Sequence, residues 1–183
     1  MSVITVCAGH SNIEPGNTWG HRREADLMRE LRHIVALKLR QLGHEVREDG
    51  GRNENLPLPR AMELCKDAAV AVELHTNASG NPTAGGVEVI AAAHHAGLAR
   101  SIAQGIADTL AIPVRRAGGW YDAEQHRKDR QWNAPAGFVR AGGLIVECFF
   151  QSNPTELAAY EARKWLVASS IADAINAHVG GAL

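Results

Sequence analysis

Short apolar runs and segments of helical period take turns along this chain, an alternation that limits it to a layered α/β fold with a largely parallel sheet. Residues 3–7 form a run rich in β-branched side chains that closes at Ala8-Gly9, and residues 21–42 carry a helical period that stops at Gly43. The same reading predicts strands over 45–48, 68–75, 86–92, 112–115 and 144–149 and helices over 58–66, 98–110 and 155–178, with 116–137 irregular. No repeat and no linker rich in Pro, Gly or Ser divides the chain, so residues 1–183 are expected to form a single domain. The expected architecture is a central, largely parallel mixed sheet flanked by helices.

Charge narrows the choice of partner. Nineteen Lys and Arg stand against twenty Asp and Glu, a net charge of −1, which leaves no cationic excess to neutralise a phosphate backbone; nucleic acid is not an expected partner. No apolar stretch reaches the roughly 18 residues that a membrane-spanning helix needs, so no stable membrane insertion is expected. The first ten residues lack the basic and apolar regions of a secretory signal, which predicts a chain that is cytoplasmic when made. Cys7, Cys65 and Cys148 are too widely spaced for a metal knuckle and read as free thiols packed like small hydrophobes.

Ligands of an open α/β sheet bind beyond the carboxyl ends of its strands, so the polar residues that end apolar runs come first as site candidates. The first run leads through Gly9 into His10, residues 69–74 end in His75-Thr76-Asn77, and residues 144–146 lead directly into Glu147. If these strands are parallel neighbours, two imidazoles and a carboxylate converge on one rim.

Glu24 adds a fourth group. The apolar stripe Met28, Leu31, Val35, Leu39, Leu42 extends back by four residues to Glu24, which puts a carboxylate on the buried side of the helix. An unpartnered buried carboxylate costs about 3–5 kcal/mol, so a cationic or metal partner is expected. Alone, Glu24 reads better as a charge favoured at the positive end of its helix or paired with Arg22 or Arg23. Alone, His10 or His75 is more often a hydrogen-bonded core histidine. Two histidines with an inward-facing glutamate, however, are a donor set used by catalytic zinc, with the fourth tetrahedral position open. The sequence has no HExxH helix, no phosphate-binding loop and no GxSxG elbow to support other chemistry.

These residues resemble the zinc-dependent N-acetylmuramoyl-L-alanine amidases, which cut the amide between glycan and stem peptide in peptidoglycan. The likeness is carried by Ala8-Gly9-His10 with Glu14-Pro15-Gly16, by Glu24, by Leu74-His75-Thr76-Asn77-Ala78, by Gly86-Val87-Glu88-Val89, and by Val146-Glu147 with Phe150, Ser152, Asn153 and Pro154. It spans nearly the whole chain in the family's order. It implies Zn2+ held by His10, Glu24 and His75, Glu147 as the catalytic carboxylate that moves the proton from water to the leaving nitrogen, and an amidase/carboxypeptidase-like fold. The chain departs from the family at Cys7, where an Asp is usual, at Ser11-Asn12, near Gly142-Gly143 and at Cys148. None of these is an implied ligand, but the missing Asp bears on what orients His10.

Asn77, Trp120, Tyr121, Arg130 and Trp132 are substrate-binding candidates, since aromatic rings can lie against sugar or peptide faces and cations can meet stem-peptide carboxylates. A solvated loop anchored by one buried Trp accounts for 116–137 equally well. The expected partner is peptidoglycan, the expected state a monomer with no separate wall-binding module, and the expected role that of a phage endolysin. Another zinc hydrolase of the same scaffold, such as a stem-peptide carboxypeptidase, and a noncatalytic wall-binding module remain as alternatives.

Overall fold

The computed structural model describes residues 1–116, 118–134 and 136–180. Six strands form one mixed sheet: β1 (Val3–Ala8), β4 (Glu45–Glu48), β5 (Val70–Asn77), β6 (Glu88–Ala91), β7 (Trp120–Asp122) and β8 (Leu144–Phe150), in the order β4-β1-β5-β8-β6-β7. All neighbours are parallel except β6 and β8. Two-residue strands β2 (Thr18–Trp19) and β3 (Arg22–Arg23) make a separate hairpin. The helices are α1 (Glu24–Gln41), α2 (Leu58–Leu64), α3 (Ala96–Leu110), α4 (Ala123–Asp129), α5 (Gly137–Arg140) and α6 (Pro154–Gly180).

Alternation of side chains along each strand gives the sheet two unlike faces. One carries Ile4, Val6, Val70, Val72, Leu74, Val89, Leu144 and Val146, and the long helices α1, α3 and α6 bury it with Met28, Leu31, Val35, Ile102, Ile106, Val167, Ile171 and others. Each fully buried side chain of this type contributes about 1.5–3 kcal/mol, so this layer supplies most of the cohesion. The second face carries Cys7, Ala71, Ile90, Tyr121 and Ile145 under a thinner cover that includes Ala61 of α2 and Phe138 of α5. All three cysteines are free and buried, as small hydrophobes. The short helices leave part of the second face open, and the site lies there.

Three expectations need correction. The first long helix begins at Glu24, not at residue 21, because Arg22 and Arg23 pair across Gly20 with Trp19 and Thr18. Carbonyls of the preceding loop then cap it, Glu24 N–H donating to Asn17 O at 2.9 Å and Ala25 N–H to Pro15 O at 3.0 Å. Residues 112–115 are not a strand; Pro113 has no N–H to donate, and the segment keeps one isolated bridge, Val114 to Val87. The stretch 116–137 is not irregular. It contains β7 and then α4, whose Asp122 side chain accepts from the N–H groups of Glu124 and Gln125. Ala117 and Pro135 of that stretch lie outside the described residues, as do residues 181–183 of the expected domain.

Candidate active site

His10, Glu24 and His75 meet at one rim of the sheet, each offering a ligand atom within 4.8 Å of the others. Glu24, 1% exposed, sits between the imidazoles: its Oε2 is 3.0 Å from His10 Nε2 and its Oε1 is 3.1 Å from His75 Nδ1. Backbone and side-chain donors complete the carboxylate's shell, with Asn17 N and Nδ2 at 3.0 and 2.9 Å and Thr76 N at 2.9 Å. Burial would raise the pKa of Glu24, but the hydrogen bonds from His10 and His75 outweigh it and hold the carboxyl well below the usual range. Arg22 and Arg23 do not compete for it; they pair with Glu161 and Asp26.

The backbone is shaped to let the three approach. His10 takes a left-handed φ of 67°, which turns its ring off the end of β1 toward Glu24. A Cβ on Gly16 would lie 2.4 Å from the His10 ring and 2.7 Å from Glu24 Oε2, and one on Gly9 would lie 2.2 Å from the His75 ring. Only glycine fits either position. On the far side of His75, Nε2 lies 3.1 Å from Glu73 Oε2, two residues earlier on the same face of β5. Burial lowers the His75 pKa, yet the bonds to Glu24 and Glu73 carry it well above its ordinary value.

His75, Glu147 and Glu88 are register partners across β5, β8 and β6, a single row on the open face. Burial pushes the Glu147 carboxyl up to about 7; His75 works against the rise, and Glu24 and Glu88 add to it. Glu147 Oε2 is shielded from solvent with no hydrogen-bond partner among the described residues. Beside it opens a cavity of about 390 Å³ lined by Asn77, Glu88, Arg115, Arg116, Tyr121 and Arg130, among others.

The substrate-binding candidates divide. Asn77, Tyr121 and Arg130 line the cavity. Trp120 points to the opposite face, where its Nε1 donates to Ala91 O and Arg100 lies 4.9 Å over its ring. Trp132 is 47% exposed and outside the cavity lining, edge-on to His126. Sequence reading missed Asn17, Glu73 and the arginine pair at 115 and 116. Glu73 was detectable, because i and i−2 share a strand face.

What supports the end of β1, in place of an Asp at position 7, is a buried network. Asn55 Nδ2 donates to the carbonyls of Ala8, Gly9 and His10 at 3.3, 3.0 and 3.1 Å, and Arg32 holds Asn55 Oδ1 at 3.2 Å and Asp49 Oδ1 at 2.7 Å.

A mixed sheet with a His-Glu-His cluster at its rim and a shielded carboxylate beside it defines a hydrolase-like α/β protein with a candidate metal centre. Residues 4–177 match the sequence model of the N-acetylmuramoyl-L-alanine amidases, and the chain belongs to that family. Among solved structures, a candidate N-acetylmuramoyl-L-alanine amidase from Neisseria meningitidis is 35% identical, with 98% of this chain and 96% of that one covered and a TM-score of 0.86. The catalytic domain of the amidase CwlV from Bacillus (Paenibacillus) polymyxa var. colistinus shares the fold at 22% identity, covering 98% and 99%, with a TM-score of 0.79. The catalytic domain of the CD27L endolysin targeting Clostridia difficile does so at 19%, covering 96% and 97%, with a TM-score of 0.66. No curated protein matches the chain in sequence. No helix among the described residues is long and apolar enough to cross a membrane.

Proposed function

We propose that the chain is a zinc-dependent N-acetylmuramoyl-L-alanine amidase, a single catalytic domain that hydrolyses the amide between N-acetylmuramic acid and L-alanine in peptidoglycan. The observation that carries this reading is the convergence of His10, Glu24 and His75 next to Glu147 in a chain of this family. The donor set fits zinc: two imidazoles and a carboxylate are a catalytic zinc set, and one ligand atom of each lies within 4.8 Å of the others. Zinc in such a set supplies Lewis acidity toward a carbonyl and makes water nucleophilic near neutral pH.

The chain's own residues do the rest. Glu147 accepts the proton of the attacking water and returns it to the departing L-alanine nitrogen. Burial raises its pKa, which favours its holding the proton that the leaving nitrogen takes. Glu73 fixes the His75 ring with Nδ1 toward the cluster. A carboxylate behind a ligating imidazole is worth roughly 10–100-fold in metal affinity, and Glu73→Gln is expected to lose zinc affinity by that factor in a competition titration. For the cellular role we propose phage-driven host lysis; the fold itself is common to the Neisseria meningitidis protein and to an endolysin catalytic domain.

The test is digestion of purified peptidoglycan with and without a chelator, then zinc restoration and mass analysis. Chelation is expected to abolish release of peptides with N-terminal alanine, and zinc to restore it. Persistent release in chelator overturns the metal dependence, and release of single C-terminal residues instead points to a carboxypeptidase. His75→Ala should lose zinc by elemental analysis; unchanged zinc content contradicts its ligand role.

A further inference from the structure

Glu88 faces Glu147 across an antiparallel pair, and two carboxylates so placed repel unless one is neutralised. Two guanidinium groups perform that task, with Arg115 Nε and Arg116 Nε each 3.2 Å from Glu88 Oε2. Around the cavity Arg115, Arg116 and Arg130 stand with Glu88, Asp129 and Glu147. Arg115 is committed to the fold, its Nη1 bonded to Gly85 O and its guanidinium over the Phe150 ring. Arg116 is held by Glu88 and the Tyr121 ring alone: it is 43% exposed, and its terminal nitrogens make no hydrogen bond among the described residues.

Its backbone is also unusual. Arg116 sits at φ 54°, a left-handed conformation disfavoured for any residue with a Cβ, and its guanidinium lies 4.0 Å over the Tyr121 ring inside the cavity. Arg130, also on the cavity wall, has no ion-pair partner among the described residues. The acid nearest to it in sequence, Asp129, is bonded to the Tyr121 hydroxyl and to Gln125.

We infer that this cavity is a carboxylate-recognising subsite for the leaving stem peptide, with Arg116 as the residue that determines specificity; the inference rests on the amidase reading above. The substrate's direction follows from the proton path. Glu147 delivers its proton to the leaving nitrogen, so the leaving peptide lies on the Glu147 side, away from His10 and Glu24 and into the space under β6 and β7. A stem peptide offers a fitting group there, because its second residue, a glutamate linked through its γ-carboxyl, keeps a free α-carboxylate. Arginine's planar fork matches a carboxylate with two parallel hydrogen bonds.

The probe is the tripeptide L-Ala-γ-D-Glu-L-Lys against the same peptide with the α-carboxyl replaced by a carboxamide, titrated calorimetrically into the unmodified chain and into Arg116→Asn. Asparagine tolerates the left-handed backbone and Arg115 stays beside Glu88, so the variant should still fold and unfold cooperatively, at a midpoint lowered by the lost Glu88 contact. The unmodified chain is expected to bind the acid at least about 10-fold more tightly than the amide, and Arg116→Asn to bring the two within about twofold. The preference should also weaken with salt, as an exposed charge contact must. Equal affinity for acid and amide, no measurable binding of either, or discrimination that survives in Arg116→Asn overturns the subsite. Peptide release from peptidoglycan is scored separately: cleavage without acid preference removes only the subsite, and acid preference without cleavage removes only the amidase reading.

Discussion

Glu147→Ala is expected to slow peptidoglycan hydrolysis by a factor of roughly 10²–10⁴, the usual span of a general acid–base contribution, while fold and zinc content stay intact. The residue stands where the buried run Leu144, Ile145, Val146 meets the open part of the sheet. Burial raises its pKa, which suits a group that takes a proton and gives it back. Its unpartnered Oε2 makes no bond that alanine would break. Removing it also relieves repulsion with Glu88, its register partner, so the unfolding midpoint should hold or rise. The measurements are peptide release from purified wall, thermal unfolding and elemental analysis on the same preparation. A folded, zinc-loaded variant that keeps more than about a tenth of the activity takes Glu147 out of the proton path.

The sheet was legible because its strands are buried runs whose polar ends stand out. Of the stripe Met28, Leu31, Val35, Leu39, Leu42, the first four are buried as the period predicts, while Leu42 lies past the end of α1 and is exposed; Glu24 at the other end is buried as its position requires. What escaped were elements too short to show a period. β7 has three residues and is held by pairing with β6, not by pattern, and α4 is announced only by Asp122 with Gln125 three positions on, a capping signal. Trp120 and Tyr121 illustrate the cost of missing that strand: adjacent residues of a strand face opposite ways, so only Tyr121 reaches the cavity. Arg32 escaped for another reason. It lies one helical turn beyond Met28, on the same buried side as Glu24, but the acid and carbonyls that enclose it come together only in the fold.

That enclosure predicts the largest stability effect in the chain. Arg32 is fully buried against a fully buried Asp49 at 2.7 Å, and its Nη2 takes the carbonyls of Gly51 and Glu54 at 2.6 and 2.9 Å. Arg32→Ala takes the guanidinium from these carbonyls and from Asp49, which keeps only the Ala8 N–H, and breaking a buried pair from one side costs about 3–5 kcal/mol. Urea unfolding should register that loss. The double change Arg32→Ala with Asp49→Ala should cost less than the sum of the two single changes, since the two side chains act on one another. The sign of the pH dependence follows from Asp49, whose pKa burial pushes up to about 6 even with Arg32 beside it. A carboxyl raised above its unfolded value of 3.8 makes stability fall as pH climbs through that window, and loss of Arg32 raises it further. The deficit of Arg32→Ala should therefore be smaller near about pH 5 than near about pH 8. Because Asn55 ties this network to the carbonyls of Ala8, Gly9 and His10, loosening it should also release the imidazole of His10 from its place beside Glu24. A variant that unfolds at the unmodified urea midpoint would show that the pair carries no stability and that the end of β1 is held by β5 and β4 alone.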